Sequence, residues 1–168
     1  MTLPFAALGA IVAALIETTV IPEIAFFGVQ ADLLLTLAVV ATVLMGVEDG
    51  LVWAFLGGLL VDLLTPARPV GATTFALLVM VGLAFAATRF FGQTRLAAVI
   101  VVFGLTWAFH VLLLATLALT EGLAAGAVDF RHIFATALLN MVVALPFVWL
   151  FTLLERRFGN VDRERTAW

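Results

Sequence analysis

The side chains in this sequence that could carry chemistry are few: the carboxylates Glu17, Asp32 and Asp62, the imidazoles His110 and His132, the hydroxyls Thr106 and Thr136, and the amide Asn140. Cys, Ser, Tyr and Lys are absent, and all 8 basic residues are Arg. Disulfides, thiolate metal sites, serine or cysteine nucleophiles and a Schiff-base lysine are therefore excluded. The two histidines lack the HExxH spacing that would put both on one helical face toward a metal. The expectation is a chain with no catalytic residue, no metal and no cofactor.

Those groups must be positioned by elements that live in lipid. Of 168 residues, 65% are hydrophobic and 11% charged, against roughly 45–50% and about 25% in a soluble domain. Mean hydropathy is +1.25. A globule of this size has too little interior to hide so much apolar surface. The solvent is lipid. A net charge of −3 with no dense basic patch excludes nucleic acid as a partner.

A crossing helix takes about 20 apolar residues. Six such runs are readable, at about 3-21, 29-47, 51-65, 70-90, 96-120 and 128-154. The fold class is all-α: a polytopic membrane protein with six transmembrane helices in one compact bundle. Residues 1-168 form a single transmembrane domain, with 155-168 as a short cytoplasmic tail. Only Glu48-Asp49-Gly50 divides the second run from the third, which reads as two short helices on a tight turn. No Arg precedes Arg68, so the first run is not a cleaved signal peptide. Arg89, Arg95, Arg156, Arg157, Arg163 and Arg165 fall on one side of a six-span bundle, and Arg68 and Arg131 on the other. The positive-inside rule then puts both termini in the cytoplasm.

Ionisable groups in lipid are expensive and need a reason. Glu17 shares a helical face with Ala6, Ala10, Ala13 and Ala14, so it reads as facing a helix contact, or as reaching the outer interface. Asp62 closes Gly57-Gly58-Leu59-Leu60-Val61-Asp62 and precedes a turn into the fourth run. A carboxylate there could satisfy the free N–H groups at that helix start, or serve a partner. Thr106 with His110, and Thr136 with Asn140, are spaced i, i+4 and read as inter-helix hydrogen-bonding pairs. His132 stands beside Asp129 and Arg131 at the outer start of the last run. Trp53, Trp107 and Trp149 read as interface anchors or lipid-facing bulk.

The order Asp32-Leu33-Leu34-Leu35, a tight turn at Gly46–Gly50, Gly57-Gly58 leading to Asp62, and then Gly71 resembles the rod shape-determining protein MreD family. Ala31 stands where that family often has Pro. The motif zone covers about a quarter of the chain, while length and short loops match throughout. The resemblance implies a non-enzymatic subunit of the bacterial elongation machinery in the inner membrane. It implies partners too: a bitopic MreC-like protein, RodA with a class B penicillin-binding transpeptidase, and the MreB filament. It points to Asp32, Gly57, Gly58, Asp62 and Gly71, with Glu17, as partner-binding or structural residues. The alternative is the substrate-binding S component of an energy-coupling-factor vitamin transporter, which MreD-like folds resemble. The Ala6, Ala10, Ala14 series is similar to the first helix by which such components dock.

Overall fold

The computed structural model describes residues 3–24, 29–65, 69–121 and 130–158. Among these residues the structure is all-helical, with seven α-helices in chain order: α1 (Leu3–Thr19), α2 (Leu33–Met45), α3 (Val47–Val52), α4 (Gly58–Leu64), α5 (Ala72–Phe91), α6 (Arg95–Glu121) and α7 (Phe130–Phe158). A 3-10 turn at Ile21–Ile24 follows α1, and a π turn at Trp53–Gly57 joins α3 to α4. Backbone angles stay helical through both joints, so α3, the π turn and α4 form one continuous rod. Stretches 6–23, 72–91, 95–116 and 130–153 are long and apolar enough to cross a bilayer. The chain is a multi-pass membrane protein.

α2 is the axis of the bundle. Every residue from Leu33 to Val43 is buried, so this helix shows no amphipathic stripe and needs none. It packs against α1, α3, the π turn, α5, α6 and α7. α6 and α7 lie together on one flank, α1 packs on the π turn and α4, and α5 bridges α4 to α6.

Glycines and carboxylates set the helix boundaries. Gly46, at φ 117°, ends α2 alone, and α3 begins at the next residue. Glu48 and Asp49 are therefore not a loop, as the sequence suggested, but the acidic first turn of α3, where the helix dipole favours them. The second and third runs shift accordingly, from 29-47 and 51-65 to Leu33–Met45 and a rod starting at Val47. Gly50 then lies directly against Thr42 of α2, an approach that a side chain would block. Gly71 (φ 96°) precedes α5 and Gly92 (φ 71°) ends it. Thr94 caps α6, its hydroxyl accepting the Ala97 N–H at 3.1 Å. α7 runs on to Phe158, so the tail assigned from residue 155 begins inside a helix. Arg68, Asp129 and residues 159–168 lie outside the described residues.

Candidate functional site

Two helix starts in the bundle are capped by carboxylates borrowed from other helices. The N-terminal turn of a helix leaves backbone N–H groups without partners, and the residue just before the helix commonly supplies the acceptor. Neither Asp32 before α2 nor Gly71 before α5 does so. Asp62, 1% exposed on α4, reaches across instead. Its Oδ2 accepts the Gly71 N–H, the Thr74 N–H (both 3.0 Å) and the Thr74 hydroxyl (2.7 Å). Its Oδ1 accepts the Thr73 N–H at 3.0 Å. Four donors and the positive end of the α5 dipole thus compensate a carboxylate removed from water.

Glu17 does the same for α2. Its Oε2 accepts the Leu34 N–H at 2.7 Å. It is half-buried and turned toward the start of α2. Ala6, Ala10, Ala13 and Ala14 are buried on the same side of α1, against the chain's own rod. The small-residue stripe offered as a docking face is used internally.

The third cluster joins α2, α6 and α7. Asn140, fully buried, sits at its centre. Its Oδ1 accepts the Asp32 N–H at 2.8 Å, and its Nδ2 donates to Asp32 Oδ2 and to the Thr106 hydroxyl, both at 3.1 Å. Thr106 in turn donates to the Val102 carbonyl at 2.8 Å. His110 Nδ1 lies 2.9 Å from the Thr106 carbonyl, and Nε2 lies 3.8 Å from Asp32 Oδ2. The Thr106–Asn140 contact is inter-helical, as the spacing suggested. His110 bonds within its own helix and faces Asp32. Thr136 departs from the reading: its hydroxyl is buried without a hydrogen-bond partner, so it forms no such pair. Asp32, to which the family pattern points, is the hub's carboxylate. The signal that could have found it is an Asp directly before an unbroken apolar run with no local cap partner.

The glycines of the motif are packing positions. Gly57 abuts the Leu34 side chain, and a Cβ on Gly58 would stand 2.7 Å from Thr74 Cα. Both are buried. Trp53 is also a correction: it is buried, edge-on to Phe151 with ring centres 6.0 Å apart, and covers Gly9. Trp149 does face outward, and Trp107 stacks on Phe130. Beside Trp53 an apolar groove of about 400 Å³ opens between α1 and α7, lined by Leu8, Val12, Ile16, Leu37, Leu150 and Phe151 among others. No cluster of three or more His, Asp or Glu stands ready for a metal among the described residues.

Taken together, the polar groups inside the bundle bind helix to helix. Comparison of the chain with protein-family models, curated proteins and solved structures finds no match.

Proposed function

We propose that this chain is a non-enzymatic inner-membrane subunit of the bacterial cell-elongation machinery, of the MreD type. It crosses the membrane six times with both termini in the cytoplasm. Its task is to dock a bitopic MreC-like protein and regulate the RodA and penicillin-binding transpeptidase synthase. The four long apolar stretches supply four crossings. α2 supplies a fifth; at 13 residues it is short, but protein rather than lipid surrounds it. The rod from Val47 to Leu64 supplies the sixth, about 27 Å long at 1.5 Å per residue.

One observation carries the reading. The residues that give the sequence its resemblance, Asp32, Gly57, Gly58, Asp62 and Gly71, all lie at joints between α2, the rod, α5 and α7. A motif spent on holding helices together suits a scaffold that presents its outer surface to other proteins. The absence of Ser, Cys and Lys agrees with that role.

The test is co-expression with an MreC homologue and purification in mild detergent. A stable complex between two folded proteins is expected. Failure to associate while both remain folded would overturn the reading. So would a vitamin that selectively raises the melting temperature of the isolated chain, which would assign it to transport.

A further inference from the structure

Independently of the elongation reading, we propose that the turn between α5 and α6 binds the phosphate headgroup of anionic phospholipids through Arg89 and Arg95. The turn is Gly92-Gln93-Thr94. The stretches on either side of it, 72–91 and 95–116, are both long and apolar enough to cross a bilayer. At 20 residues, α5 measures about 30 Å, the thickness of the hydrocarbon layer. A hairpin of two crossing helices brings its turn to the membrane surface, whichever side of the membrane that is.

The apolar groups of the turn place the lipid. Phe90 and Leu96 are the most exposed large apolar side chains among the described residues, at 86% and 70%, and Phe91 is exposed beside them. In water the three would form an uncovered apolar patch, whereas the interfacial layer of a bilayer covers them. The headgroup layer therefore reaches over the turn, which brings lipid phosphates to the level of Arg89 and Arg95. Both arginines are exposed. No ion pair links either of them to a carboxylate among the described residues. No Asp or Glu occurs between Asp62 and Glu121, so the hairpin brings no counter-charge of its own to the turn.

The arginines select the headgroup. A guanidinium presents paired planar donors that match two phosphate oxygens. Arg89 is held ready: its Cζ stands 5.9 Å from the centre of the Phe85 ring, one turn back. Phe85 is itself exposed, so the charge lies on the outer flank of α5. Helical side chains lean toward the N-terminus of their helix. For Arg89 that direction is inward, toward the hydrocarbon; for Arg95 it is outward, toward water. The two charges bracket the headgroup layer. A headgroup of net negative charge then binds more tightly than a zwitterionic one, which carries a positive group of its own. An acidic soluble protein would meet the arginines but would leave Phe90, Phe91 and Leu96 without apolar chains to cover them.

The test uses the full-length protein in a neutral detergent, with phosphatidylglycerol or phosphatidylcholine of the same acyl chains added. Phosphatidylglycerol should raise the unfolding temperature to a plateau, phosphatidylcholine far less, and inorganic phosphate at the same concentration not at all. Arg89→Gln and Arg95→Gln should each weaken the apparent affinity for phosphatidylglycerol about fivefold, and the double variant should no longer distinguish the two lipids. Chemical labelling of the parent gives a reading that needs no variant. Phosphatidylglycerol should shield Arg89 and Arg95 from the arginine reagent phenylglyoxal, and phosphatidylcholine should not. A lipid preference that survives the double variant overturns the proposal, as does labelling indifferent to phosphatidylglycerol. Stabilisation by inorganic phosphate alone would make this a site for soluble anions and overturn it too. So would shielding by an acidic peptide that phosphatidylglycerol cannot match, which would assign the turn to a protein partner.

Discussion

Asp62 and Thr74 are joined twice, the carboxylate Oδ2 accepting both the backbone N–H at 3.0 Å and the hydroxyl at 2.7 Å of the same residue. The double link fixes the start of α5 against α4 at one point. It also means that the carboxylate cannot be lost without stranding several buried donors. Asp62→Ala should destabilise the bundle by about 2–3 kcal/mol, because unsatisfied N–H groups and a lost cap add. Thr74→Val, which keeps the backbone bond, should cost only about 1 kcal/mol. Thermal unfolding in detergent checks both, and equal effects would contradict the assigned geometry.

Asn140 makes three hydrogen bonds, two to Asp32 and one to Thr106. Its side chain ties α7 to α6 and to the start of α2. Asn140→Ala should therefore destabilise by about 2–3 kcal/mol, and hydrogen exchange should quicken first at the Asp32 amide. Thr136→Val, one turn away, removes a hydroxyl that bonds to nothing. It should be neutral or slightly stabilising. The contrast between the two variants on the same face of α7 is the informative measurement.

How much of this could be read in advance depended on sequence distance. The role of Asp62 was open to inference because its partners lie only 9 to 12 residues away, across a turn marked by Gly71. The apolar runs declared the helices for the same local reason. Asp32 and Asn140 are 108 residues apart, and spacing alone names a polar face without naming what it meets. Gly46 misled differently. Glu48 and Asp49 looked like a loop because they are charged, yet acidic residues also suit the first turn of a helix. The buried Trp53 escaped because tryptophan is amphipathic enough to sit at an interface. Only the approach of Gly9 makes room for it in the core.

Gly57 and Gly58 look equivalent in sequence but meet different neighbours. A Cβ on Gly58 would stand 2.7 Å from Thr74 Cα and 3.2 Å from its nitrogen. That backbone is held by Asp62 and cannot give way. Gly58→Ala should cost about 1–3 kcal/mol from overpacking, and Gly58→Leu considerably more. The atoms nearest a Cβ on Gly57 all belong to the Leu34 side chain, its two methyls and Cγ, a flexible end that can give way where backbone cannot. Alanine also gains about 1 kcal/mol of helix propensity over glycine. Gly57→Ala should therefore leave the melting temperature close to that of the parent, and the reverse order would contradict the packing.

Glu17 offers the sharpest test of the borrowed caps, because its 2.7 Å bond to the Leu34 N–H links α1 to the axial helix. An ionised carboxylate at a helix start combines a charge-assisted hydrogen bond with the dipole term. Glu17→Gln keeps an acceptor oxygen and should cost about 0.5 kcal/mol. Glu17→Ala removes both contributions and should cost about 1–2 kcal/mol. The effect should also be local. α1 is held elsewhere by its buried alanines, so the helix should stay seated while the first turn of α2 frays. Amide exchange at Leu33 and Leu34 should accelerate in Glu17→Ala, with little change around Gly71 and Thr73. Global loosening of α1 in that variant would show instead that the alanine face is a weaker attachment than its burial implies.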